Sequence, residues 1–277
     1  MKSAKIIILA GQSNAVGVGH CAYLSKHFSP EKVREYENGY PQIPINYYSH
    51  DKKSEGFVKT GLGCTEKTKF TAGPEVGIAE ALVNRYPEEN LFIVKCAYGG
   101  TSLWHDWCSP SGSEKYDERS HDDNTVSEHF RDYGWCYNEF NKILSESIES
   151  LKKEGYDPTI IAFCWMQGEG DSELLEHVSG YSRAYNALLS DIVLNFGKYM
   201  KDCVYVDGGI SEVWRFYKEI NEIKRTHANT TPNSFFIDTV AHGLTTQNEP
   251  IDEPDIYHYD LDSVIKLGHL FAEHIKA

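Results

Sequence analysis

The sequence is poor in positive charge: 27 lysines and arginines face 41 aspartates and glutamates, for a formal net charge of −14. A nucleic-acid partner needs a basic face, so none is expected. The overall field also repels anions, which leans toward a neutral substrate. Long hydrophobic runs are missing as well. Ile6–Ala10 is too short for the core of a signal peptide, and no segment approaches a membrane span. The seven cysteines are odd in number and form no CxxC pair, so no disulfide framework is expected. Cys96 and Cys164 fall inside apolar runs, where a reduced thiol packs as a small hydrophobe. A cytoplasmic location is the expectation, unless a leader preceded Met1. Twelve histidines show no HExxH or comparable spacing, and no Walker or GxGxxG motif follows a strand. The expectation is no metal, no cofactor, no nucleotide and no membrane partner. Internal repeats and low-complexity tracts are absent too.

What is present is a rhythm. Lys5–Ala10 is a β-branched apolar run ended by Gly11, and Ile43–Tyr48, Leu91–Cys96, Thr159–Trp165, Cys203–Val206 and Ser234–Ile237 also read as strands. Between them, Pro74–Tyr86, Trp135–Glu154, Glu173–Phe196 and a segment near Tyr217–Thr226 carry helical spacing, and Leu261–Ile275 closes the chain as a helix. Gly180 weakens the third of these. Apolar strands that do not alternate imply burial on both faces. The expected fold is therefore a three-layer α/β/α domain with a mostly parallel sheet, spanning 1–277 as one unit. His50–Gly73 and Leu103–Tyr133 break the rhythm as polar, glycine-rich insertions. Long loops of that kind often build binding sites.

In such sheets the chemistry sits past the carboxyl ends of the strands. There the sequence places Gly11-Gln12-Ser13-Asn14, Tyr98-Gly99-Gly100-Thr101, Gln167-Gly168-Glu169-Gly170-Asp171, and a last loop with Asp255-Ile256-Tyr257-His258. A serine hydroxyl needs a base to take its proton. His258 suits that task, and Asp255, three positions earlier, can reach its second ring nitrogen and hold the tautomer. The Ser13 and Gly100 N–H groups and the Gln167 amide are candidate donors to an oxyanion.

Each assignment has a plainer rival. Ser13 can cap the helix that follows, Asn14 can hold the turn, and Gln167 can brace a buried loop. Asp238, Asp260 and Asp262 compete with Asp255. Glu169 and Asp171 can be read as a glycosidase-like acid/base pair. Gln12, Asn14, Glu169, Trp104 and His105 are the expected substrate contacts, and Trp104 and Trp107 can instead plug the insertion.

The four blocks, in this order, resemble those of the SGNH/GDSL-like hydrolases, in the sialate O-acetylesterase and acetylxylan esterase branch (carbohydrate esterase family six and relatives). The resemblance runs from Lys5 to Gly268. It implies a flavodoxin-like sheet and a metal-free Ser-His-Asp mechanism. It further implies a carbohydrate O-acetyl ester as substrate, on a sialic acid or a xylan fragment. Ser13, Asp255 and His258 carry over as triad, and Ser13, Gly100 and Gln167 as oxyanion hole. Ala15 departs from the methionine of many relatives, Gln167 from the asparagine of the wider family, and Leu103–Tyr133 matches no block. Two other functions fit the same residues: a sugar-binding protein without catalysis, and an acyltransferase on the same triad.

Overall fold

The computed structural model describes residues 2–66, 70–112 and 133–277. Six strands run parallel in one sheet: β1 (Lys2–Gly11), β2 (Tyr40–Ser49), β3 (Leu91–Ala97), β4 (Tyr156–Met166), β5 (Val204–Gly208) and β6 (Ser234–Ile237). Their order across the sheet is β6-β5-β4-β1-β3-β2. Without β2 this is the 2-1-3-4-5 order of a flavodoxin-like sheet, as expected. β2 is an added strand beyond β3. It carries Pro41 and Pro44, which cannot donate to a ladder, and it pairs with β3 only from Ile45 to Ser49. Its outer side is covered by Val58–Thr60 and Lys52–Lys53, both antiparallel, so part of the His50–Gly73 insertion finishes the sheet edge.

The strands are buried because both faces are covered. Ile6 to Ala10 of β1 are inaccessible to solvent, and so are Ile93, Val94, Cys96 and Ala97 of β3. One helical layer holds α2 (Pro74–Arg85) and α6 (Leu261–Glu273), which pack on each other. Their contact is close because two glycines meet there. A Cβ at Gly77 would lie 2.0 Å from the Ile265 carbonyl oxygen, and one at Gly268 2.0 Å from that of Pro74. The other layer holds α3 (Trp135–Lys153) over β2, β3 and β4, then α4 (Leu175–Phe196) and α5 (Tyr217–Thr230) beside each other. The second layer holds α3, α4 and α5 together because the chain moves steadily one way across the sheet from β3 through β4 and β5 to β6.

Helix α1 (Pro30–Asn38) was not anticipated, although Ser29-Pro30 is a start signal: Ser29 Oγ accepts from Lys32 N at 3.3 Å and proline takes the first turn. All seven cysteines are buried, and no disulfide joins them. Among the described residues no helix is long and apolar enough to cross a membrane, and no His, Cys, Asp or Glu cluster could hold a metal ion. Residues 113–132 of the second insertion lie outside the described residues.

Two buried lysines tie the loops to the sheet. Lys95 of β3 donates to Glu75 Oε2 at 2.8 Å, to Val16 O at 2.7 Å and to Cys64 O at 2.9 Å. Lys224 of α5 donates to Asp207 Oδ1 at 2.7 Å, to Gly208 O at 2.8 Å and to Gln167 O. Neither lysine is exposed, and a buried charge is tolerated only with such partners.

Candidate active site

The strand order reverses around β1, between β3 and β4, and open α/β sheets bind ligands outside such a point. β1 comes so close to the end of β4 that a Cβ at Gly11 would lie 1.9 Å from Met166 O, and Gly11 has φ +142°. Only glycine fits there. The Gln12 N–H then donates to Met166 O at 2.9 Å, and Ser13 opens a single helical turn, Ser13–Val16. Ser13 therefore takes the first helical position rather than the cap, and Gln12, in the cap position, makes no side-chain cap bond. Ser13 is 8% exposed, and its hydroxyl makes no hydrogen bond among the described residues. Its N–H also has no acceptor there, nor has that of Gly100, which adopts φ +65° in the turn after β3.

Asp255 and His258 are paired: His258 Nδ1 lies 2.6 Å from Asp255 Oδ2. Asp255 Oδ1 accepts from Tyr257 N at 3.0 Å, which closes the turn between them. The rival carboxylates are occupied elsewhere. Asp238 binds Arg225 and the Ala241 N–H, Asp260 accepts from Thr245 and Asn248, and Asp262 lies in the first turn of α6.

Asn14 brings this pair to Ser13. Its Oδ1 accepts from Tyr259 N at 3.0 Å, and its Nδ2 donates to Glu169 Oε1 at 2.8 Å and to Tyr257 O at 3.4 Å. The residues on both sides of His258 are thus fastened to the residue that follows Ser13. No hydrogen bond joins Ser13 Oγ to His258; such contacts often tighten only around substrate.

Gln167 is placed differently from the expectation. It is fully buried, and its Nε2 faces Asp171 Oδ2 at 2.5 Å, Thr101 O at 3.2 Å and Gln12 Oε1 at 3.3 Å, while Tyr181 OH donates to its Oε1 at 3.0 Å. Two amide protons with three acceptors leave none for an oxyanion. Gln167 braces the turn. The same network fixes Gln12, whose Oε1 also accepts from Gly170 N at 3.0 Å. A backbone N–H can only donate, so the Gln12 Nε2 must be the other end of the amide, and it has no partner among the described residues.

Glu169 and Asp171 are fully buried or nearly so, and neither reaches the open side as an acid/base pair would. Burial raises the Glu169 carboxyl above its usual range, against the lowering effect of Asn14, and its Oε2 has no partner. Burial pushes Asp171 up to about 6, although it accepts from Leu103 N at 2.7 Å and Trp104 N at 2.9 Å. Asp171 thereby seats the start of the second insertion on the turn after β4.

Trp104 and His105, expected as substrate contacts, are packed against other side chains. The Trp104 ring stacks on His177 of α4 at 4.9 Å, and the closest atom to a Cβ at Gly180 would be Trp104 Cζ3, at 2.7 Å. The glycine that weakens α4 is therefore the seat of this ring. His105 is 9% exposed, beside Asp106 and packed on Tyr133. Trp107 is core, edge-on to Trp165 at 5.0 Å. The aromatic residues beside His258 are instead Tyr257, 48% exposed, and Trp214, with ring centroids 5.1 Å apart. Sequence reasoning passed over both, and over His50 at the end of β2; being past strand ends was the available signal.

The profile of the family described as carbohydrate esterase, sialic acid-specific acetylesterase, matches residues 3–277. Among solved structures, an Arabidopsis thaliana protein superposes with a TM-score of 0.66 at 19% identity, covering 97% of this chain and 96% of that one. NanS gives 0.65 at 16% identity, with 99% and 97% covered. A carbohydrate acetylesterase from Xanthomonas citri gives 0.54 at 13% identity, over 98% of this chain and 55% of that one. No curated protein matches the sequence. At these identities the structures support the fold, and the family profile, matched over nearly the whole length, supports more: the chain belongs to the carbohydrate esterases of the sialic acid-specific acetylesterase family.

Proposed function

We propose that the protein removes O-acetyl groups from a carbohydrate by a serine mechanism, with Ser13 as nucleophile, His258 as base and Asp255 as its orienting partner. The observation that carries this reading is the Asn14 clamp, which fastens the hydrogen-bonded Asp255–His258 pair beside Ser13. His258 Nε2 takes the Ser13 proton as Oγ bonds to the acetyl carbon. The carbonyl oxygen becomes an oxyanion, held by the Ser13 and Gly100 N–H groups. As the bond to the sugar oxygen breaks, His258 returns the proton to it and the deacetylated sugar leaves. Water then attacks the acetyl-serine with His258 again as base, releasing acetate and restoring Ser13. Gln12 Nε2 is a further donor at the rim.

The sugar lies on the His258 side, against Tyr257 and Trp214. The Trp214 Nε1 is buried and has no hydrogen-bond partner among the described residues. Initial rates on p-nitrophenyl acetate and on O-acetylated sialic acid, parent against Ser13→Ala, test the reading. A fall of about 10³-fold or more is expected, and equal rates would refute it. Ionic strength separates substrate classes. With a net charge of −14, an anionic sialic acid gains kcat/KM as salt screens repulsion, and a neutral sugar does not.

A further inference from the structure

The side of Ser13 away from His258 carries an assignment of its own. The His258 segment lies toward β4 and β5: Asn14 ties it to Glu169 after β4, and Tyr259 OH donates to Gly209 O after β5 at 3.2 Å. β1 comes next, then β3, whose end is Gly99-Gly100, then β2, whose end is His50. His50 has φ +49° and is one of two non-glycine residues with positive φ among those described. A left-handed residue at a strand end beside a nucleophile is the kind of local strain that collects at functional sites. Its ring is close. A Cβ built on Gly99 would lie 3.5 Å from His50 Nδ1 and 3.6 Å from Ser13 Cβ, so the imidazole and the serine side chain abut the same small space.

Gly99 itself is not demanded by the fold. Its φ lies outside the left-handed region, and those contacts are ordinary van der Waals distances. Among the described residues a methyl at that position would meet only ordinary van der Waals neighbours, so there is room for one beside Ser13.

The tetrahedral carbon on Ser13 Oγ carries three other groups. The sugar oxygen must face His258, which protonates it, and the oxyanion must face the Ser13 and Gly100 N–H groups. The acyl carbon takes the remaining position, and the room beside Ser13 on the side away from His258 lies between Gly99 and His50. We infer that the space between Ser13, Gly99 and His50 is the acyl pocket, with His50 as the wall that limits the acyl group to acetyl. This rests on the serine mechanism proposed above.

The test is acyl selectivity, kcat/KM for p-nitrophenyl propionate over acetate, in parent, His50→Ala and Gly99→Ala. Removing the His50 ring should raise the ratio about tenfold or more, and adding a methyl at Gly99 should lower it by a similar factor, since one methylene in a pocket is worth about 10–200-fold. A role limited to folding would scale both esters alike. Ratios within about threefold of the parent in both variants, with circular dichroism unchanged, would overturn the pocket. Should His50→Ala be inactive, Gly99→Ala decides by itself. Ser13→Ala is run alongside. If it retains the activity, the serine mechanism fails and the pocket with it. If it abolishes activity while the ratios stay fixed, only the pocket fails.

Discussion

Replacing Asn14 with alanine removes the bonds that fasten His258 in place, and its cost can be worked from the geometry. The Tyr259 N–H loses its acceptor in a residue that is 2% exposed. Glu169, fully buried, loses the donor to Oε1 while Oε2 already has none. An orphaned buried group costs about 1–3 kcal/mol, and a hydrogen bond to a charged group contributes about 1.5–3 kcal/mol, so the loss should total roughly 3–5 kcal/mol. A domain of ordinary stability, about 5–15 kcal/mol, survives that. Activity should fall further than stability. A displacement of His258 by an ångström costs about 10²-fold, and it should appear in kcat with KM little changed. The loss should also depend on pH. Burial raises the Glu169 pKa and Asn14 lowers it, so the variant's Glu169 titrates higher than the parent's. A carboxyl raised above its unfolded value gives stability that is full below the unfolded pKa and is lost as pH rises through the folded one. The variant's deficit should therefore widen with pH, by up to about 1.4 kcal/mol per unit. Urea unfolding at pH 5 and pH 8 measures it. With Glu169→Gln as background, the same substitution should cost equally at both. A loss below about 1 kcal/mol, or kcat within about threefold of the parent, would refute the clamp.

Asp171 gives a second pH dependence. Burial carries it from 3.8 to about 6, so its contribution is full below about pH 4 and is lost as pH rises to about 6. Asp171→Asn should flatten that decline in urea midpoints taken across the window, and an unchanged slope would exclude Asp171 as its source. Gly180→Ala should destabilise by up to about 2 kcal/mol net, because overpacking where its Cβ meets the Trp104 ring at 2.7 Å costs about 1–3 kcal/mol against roughly 1 kcal/mol gained in helix propensity. A raised Tm would show that Trp104 yields without cost.

The strands and long helices were legible because they are periodic and apolar, and burial on both faces makes such strands unbroken in sequence. Their ends were less so. β1 begins at Lys2 rather than Lys5, because pairing with β4 continues through exposed residues that carry no hydrophobic signal. β2 was read only from Ile43, since prolines conceal its beginning. The site divides the same way. Asp255 and His258 are three positions apart, so a local turn sufficed to foresee their hydrogen bond. Gln167 was misjudged because the direction of an amide depends on partners far away in the chain: Gln12, Thr101, Asp171 and Tyr181. Trp104 was misjudged for a related reason. An aromatic residue in a polar insertion looks free to meet a ligand until the glycine that seats it, 76 positions later in a helix, is seen beneath the ring. In the sequence alone Gly180 reads only as a weakness in the helix. A residue that costs helix stability in an otherwise regular element was the one sign in the sequence that something large packs against it. Helical glycines of this kind are therefore worth pairing with unplaced aromatics before those aromatics are assigned to a substrate.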